Sequence, residues 1–179
     1  MMKILARGTY LLLLVCTACS GPSPRKLVET CWLNANRVTA YYEPQFFQNL
    51  MDMKASNNIL VLVDGKVEKG SAETYVQQML IDPVSRCLQD VASMTKCKDN
   101  EAILDASIAV FQFGKKVFEQ DYLRMAQRID EGVSEEMLAS HVEALFTARD
   151  PEMFKRLDNL DRLILPYAAA HNIKIVNKR

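Results

Sequence analysis

The sequence predicts a mainly α-helical fold, a helical bundle with a long central helix, and three features carry that expectation. Leu104, Ile108, Phe111, Phe118, Tyr122, Met125 and Ile129 step by four and three, with Lys115 as the one interruption. That spacing lays one apolar seam along a helix roughly 40 Å long at 1.5 Å per residue. Met153, Leu157, Leu160, Ile164, Tyr167 and His171 repeat the pattern near the end of the chain. Serines, prolines and glycines stand where helices begin and stop.

In chain order, Leu27, Val28, Cys31, Trp32, Ala35 and Val38 recur at helical spacing and predict a first helix over residues 25–42, ended before Pro44. Pro44 suits the start of a second helix over residues 44–55, which Ser56, Asn57 and Asn58 break. Residues 59–63 are a compact, partly β-branched apolar run, followed by Asp64-Gly65 and Lys66-Val67-Glu68. Asp-Gly between such runs is a strong hairpin signal, so one small β-hairpin is expected near residues 59–68, with a buried helix end as the alternative. Ser71 is a good N-cap for a helix reaching Leu80, and Asp82-Pro83 is expected to start another through Cys87 and Val91.

The long seam then runs from Asp99 to Gly132, with Gly114 beside Lys115 marking a kink or a close helix crossing. Ser134 caps the next helix, Glu135 and Glu136 suit its positive end, and Asp150-Pro151 is expected to start the last. On that last helix Glu152 with Arg156, and Asp158 with Arg162, are spaced for i,i+4 ion pairs, and Pro166 predicts a bend. Residues 173–179 read as a short strand or a frayed basic tail. No internal repeat is visible.

The N-terminus has a different grammar. Lys3 and Arg7 precede Tyr10, four leucines and Val15, and the stretch exits through Cys16-Thr17-Ala18-Cys19-Ser20-Gly21. This order of charge, apolar run and small residues is that of a signal peptide, and about nine apolar residues are too few to span a bilayer that needs about 20. Thr17, Ala18 and Cys19 resemble the bacterial lipoprotein signal, in which two small residues precede the cysteine that is acylated; Cys16 stands where that signal usually has leucine. The resemblance implies residues 1–18 as a signal peptide, lipid on Cys19, and a tether over residues 19–25 that contains Gly21, Pro22, Ser23 and Pro24. It implies a single helical domain over residues 26–179. In a Gram-negative cell, Ser20 after the cysteine implies the outer membrane, with the domain facing the periplasm. Ordinary secretion after cleavage near Ala18 is the alternative.

About 160 residues remain after such a cleavage, enough for one domain with a hydrophobic core. Basic and acidic residues balance at 22 each, and removing Lys3 and Arg7 leaves the remainder slightly acidic. A near-neutral chain without a basic stripe carries no nucleic-acid footprint, and with no polybasic run the membrane holding falls to lipid. Cys31, Cys87 and Cys97 follow Cys19. Export to an oxidising compartment favours one disulfide, with Cys87–Cys97 the first choice because it closes a short loop, and Cys31 with either as the rival. Three small buried thiols are the other reading.

No phosphate loop, paired Cys-x-x-Cys or nucleophile elbow is present, so the sequence is read as a non-enzyme without a cofactor. His141 and His171 sit on amphipathic helices as edge-of-packing residues, and they would serve a metal only by meeting in space. The methionines are scattered at core-like positions, as adaptable filling rather than copper ligands. Trp32, Tyr41, Tyr42, Phe46 and Phe47 form the candidate partner or ligand patch, against a plain corner of the core. The resulting expectation is an outer-membrane-anchored scaffold or assembly factor for an envelope machine, a secretion or pilus system, that binds an envelope protein. Its likeness to pilot lipoproteins is one of architecture, without a shared motif. A lipoprotein that binds a ligand or metal is the alternative, and an envelope enzyme the third.

Overall fold

The computed structural model describes residues 21–175. Cys19 and the expected signal peptide lie outside those residues. The chain is mainly α-helical with one small hairpin. Helix α1 joins Pro24–Val28 to a widened π turn, Glu29–Leu33, and α2 is the short Asn36–Thr39. Helix α3 is Gln45–Ala55. Strands β1, Leu60–Val63, and β2, Lys66–Lys69, follow. Helix α4 joins Ala72–Val76, π-helical Gln77–Ile81 and Asp82–Ala92. Helix α5 joins Glu101–Val117, π-helical Phe118–Tyr122 and Leu123–Asp130, and α6 is Glu135–Ala170.

Helix α5 is the predicted central helix. It packs along α6 on one side and on α4 and α1 on others. Leu104, Phe111, Phe118, Tyr122, Met125 and Ile129 of its seam are all buried, and Ile108 is half-buried. Gly132 closes the helix at φ +86°, with Val133 N–H donating to the Arg128 carbonyl and Gly132 N–H to that of Ile129. This is the Schellman arrangement, in which a glycine supplies the left-handed residue.

Several expected boundaries are corrected. Pro24 is no part of a tether: it sits in the first turn of α1, where its missing N–H costs nothing, and Ser23 caps the turn by accepting from Lys26 N–H at 3.3 Å. The expected helix over residues 25–42 is interrupted by the π turn and by residues 34–35. Asp82-Pro83 and Asp150-Pro151 do not start new helices; both prolines lie within continuous α4 and α6. Pro151 and Pro166 leave the carbonyls of Thr147 and Arg162 without their helical donors. Both residues are exposed, which lets water take the place of the missing donors. The expected pairs Glu152–Arg156, at 2.7 Å, and Asp158–Arg162 do form.

The hairpin is as predicted. Val63 pairs with Lys66 across Asp64 and Gly65, which stand at φ 50° and 78°, as a two-residue I′ turn requires. The outer edge of β1 is covered by a side chain, since the Gln78 amide donates to the Leu62 carbonyl and accepts from its N–H, both at 2.8 Å. Next to the hairpin, Asp130 at the end of α5 accepts from the N–H groups of Ala72 and Glu73 at 3.0 Å and from Lys54 Nζ at 2.8 Å. Partial burial would raise this carboxyl, but Lys54 and the two N–H donors outweigh it and hold it below its ordinary value.

A depressed folded-state value means that the stabilisation is present at neutral pH and is lost as the pH falls from the ordinary carboxylate value through the lowered one. Asp130→Asn is therefore expected to reduce stability at pH 7 and to flatten its decline below about pH 4. Urea unfolding of both proteins between pH 2.5 and 7 checks this, and parallel curves would contradict it.

Candidate functional site

The aromatic candidates divide into two groups. Phe46 and Phe47 are buried, and their rings lie 5.4 and 4.5 Å from that of Tyr122, which also touches Phe118 at 4.9 Å. Trp32 is buried too, and its indole N–H donates to Asp161 of α6 at 2.6 Å. These residues hold the corner where the first three helices meet α5 and α6. Tyr42 lies at the margin. Its hydroxyl donates to Asp150 at 3.0 Å and its ring meets Phe146 edge-on at 5.1 Å. Burial and the adjacent carboxylate push the Tyr42 phenol well above its ordinary value, so it stays a neutral donor. Tyr41 gives its carbonyl to the Tyr122 hydroxyl at 3.0 Å and an edge contact to Phe46.

Beyond this corner the surface opens into a groove of about 630 Å³ between the start of α3 and the first half of α6. Pro44, Phe47, Leu138, Ala139, Val142 and Phe146 give it apolar walls. Its polar lining is Thr147 with the amide and acidic Gln45, Gln48, Glu135, Glu143 and Asp150, and among the described residues no lysine or arginine lines it. The α6 stretch involved, residues 135–151, is about 24 Å long, the length of a helix of four to five turns. Of the predicted patch only Phe47 reaches this lining; Leu138, Val142 and Phe146 were missed. Their spacing of four marks an ordinary amphipathic face, and nothing local distinguishes a wall that stays open from one that is covered.

The remaining candidates take other places. Cys31, Cys87 and Cys97 are free thiols, so the expected Cys87–Cys97 disulfide is not formed. Cys87 is buried on α4 within the electrostatic reach of Arg37, whereas Cys97 sits in a turn close to Gly21 and near Tyr167. That turn is fixed by Asn100, whose side chain accepts from Cys97 N–H at 2.8 Å and donates to the Thr95 carbonyl at 3.1 Å. Burial raises Cys31 to about 11, with a smaller opposing effect of Ser107, and burial also raises Cys87. Such thiols are poor nucleophiles at neutral pH.

His141 bonds the Met137 carbonyl through Nδ1 at 2.6 Å, and His171 caps the end of α6 with its ring 4.4 Å from that of Tyr167. Thirty residues of one helix place the two histidines about 45 Å apart, which excludes their meeting at one metal ion. Among the described residues, no three His, Cys, Asp or Glu side chains are gathered for a metal, and no helix is long and apolar enough to cross a membrane. No family of known proteins, no curated protein and no solved structure matches the chain.

Proposed function

We propose that the chain is a lipid-anchored envelope scaffold that holds, in the groove between α3 and α6, an amphipathic helix with a cationic polar face from a partner protein. The groove carries this reading: apolar walls receive the apolar stripe of a helix, and an acidic lining without a cation selects basic flanks. The position of Gly21 supports it. Gly21 lies against the turn before α5, near the C-terminal end of α6, whereas the groove uses the first half of α6. Val142 is about 38 Å along the helix from Tyr167, so lipid on Cys19 would leave the groove facing away from the bilayer. The anchor follows from the resemblance to the lipoprotein signal, and the outer membrane from Ser20. The work is binding rather than catalysis.

The test is capture of the lipidated protein from cross-linked native envelopes, with mapping of the cross-linked segment. The expected result is a stoichiometric partner joined through a basic amphipathic helix. Val142→Glu, which places a carboxylate on the apolar wall, should weaken capture at least about tenfold. Cys19→Ser should move the folded protein out of the membrane fraction. Equal capture by Val142→Glu would sink the groove, and a Cys19→Ser protein that stays with membranes would sink the anchor.

A further inference from the structure

On the other side of α6 the electrostatics reverse. A cleft of about 410 Å³ runs between the second half of α5 and the first half of α6, with Met125 and Leu145 among its apolar lining. The two helices run antiparallel here, with Asp121 facing Arg149 at one end. That pair is a two-pronged ion pair, with Arg149 donating to the two Asp121 oxygens at 2.9 and 3.3 Å, and it is neutral.

Arg124 and Arg128 line the same cleft, and among the described residues neither has a hydrogen-bond or ion-pair partner. They stand at i,i+4 on one helix, where like charges repel. His141 also lines the cleft, and its Nδ1 is engaged by Met137, which leaves Nε2 as the ring nitrogen available to a ligand.

We propose that this cleft is an anion site for a phosphate group, free or carried by a phospholipid headgroup, held between Arg124 and Arg128. Two guanidinium forks one helical turn apart can each take a pair of oxygens, and a phosphate, with three or four oxygens, can serve both forks at once, whereas a carboxylate has two oxygens and fills one fork. The apolar floor of Met125 and Leu145 lowers the local dielectric and strengthens each charged hydrogen bond. It also gives the first carbons of a lipid a place to lie. The bound anion would relieve the repulsion between the two arginines, so ligand and helix stabilise each other. The site is separate from the α3–α6 groove and does not depend on what that groove binds.

The test titrates the full-length protein, in a non-ionic detergent, with inorganic phosphate and in parallel with dihexanoyl phosphatidic acid, read by calorimetry. Saturable binding with one site per chain is expected, weaker as salt rises, and at least about tenfold weaker in Arg124→Gln/Arg128→Gln. Arg124→Lys/Arg128→Lys keeps the charge but loses the forks, and is expected between the two. Equal affinity for the two probes would assign the site to the phosphate alone, and tenfold tighter binding of the lipid would assign the floor to its acyl carbons. The Gln double variant should melt at or slightly above the wild type without ligand, because the like-charge pair is gone, which separates lost binding from lost folding. Val142→Glu should bind both probes as the wild type does. Failure of both probes to saturate, or wild-type affinity in the Gln double variant, would overturn the proposal.

Discussion

Tyr122→Ala is expected to destabilise the fold by about 4 kcal/mol, the largest effect of any single truncation proposed for this chain. Tyr122 is fully buried at the π turn of α5, and its ring is in contact range of Phe46, Phe47 and Phe118. Removing it forfeits the burial of a large ring and leaves a cavity that three aromatic neighbours cannot close without leaving their rotamers. The hydroxyl contributes separately by donating to the Tyr41 carbonyl, which ties α5 to the bend between α2 and α3.

Tyr122→Phe keeps the ring and removes that part-buried hydrogen bond, a cost of about 1 kcal/mol. Since a domain of this size is stable by only about 5–15 kcal/mol, Tyr122→Ala should consume a large part of the total. Urea unfolding at 25 °C measures both variants, and a loss below about 2 kcal/mol in Tyr122→Ala would show that the corner repacks. Phe47 both touches Tyr122 and lines the groove, so the same variant should also blunt partner capture while Tyr122→Phe should not.

How far the sequence could be read depends on the range of the forces at each position. The hairpin turn was legible because Asp64 and Gly65 carry the backbone requirement themselves, and Ser71 and Ser134 were legible as caps because each acts within three residues, on Thr74 and Met137. The seam of α5 was legible because one stripe repeats over about seven turns. Pro83 and Pro151 were misread as helix starts because a local penalty of about 3 kcal/mol per helical proline was set against nothing. Along α6, Met153, Leu160 and Ile164 are fully buried, and their packing outweighs the bonds lost at Pro151 and Pro166.

The candidate sites divide in the same way. The groove combines Phe47 with Leu138, Val142 and Phe146, about a hundred residues away, and such a meeting leaves no local mark. Pairing of Cys87 with Cys97 was argued from loop length alone, while the outcome was decided by which neighbours each thiol faces. The arginine pair of the cleft is different: Arg124 and Arg128 stand at i,i+4 in the sequence itself, and a like-charge pair at that spacing is a readable signal that charge patterning on the outer faces of helices should include.

Gly114→Val should cost about 3 kcal/mol, and the reason lies across a helix crossing rather than in helix propensity. Gly114 is buried within α5, where glycine is less favourable than alanine by about 1 kcal/mol, so on propensity alone a side chain would help. A Cβ at that position, however, would lie 2.6 Å from Val38 Cγ1 and 2.9 Å from Cγ2. Val38 is itself fully buried on α2, and close-packed interiors leave few voids into which methyl groups can turn. The sequence offered a kink or a close crossing beside Lys115, and the distance decides for the crossing. Val38→Ala alone should cost about 2 kcal/mol through the cavity it leaves. Combined with Gly114→Val, it moves the volume from one helix to the other, and swaps that conserve volume are tolerated best. The double variant is therefore expected to lose at least about 2 kcal/mol less than the sum of the single losses, a coupling well above the few tenths seen between independent sites. Additive losses in a urea-unfolding cycle would mean that the two residues are not in contact, and that α2 does not cross α5 at Gly114.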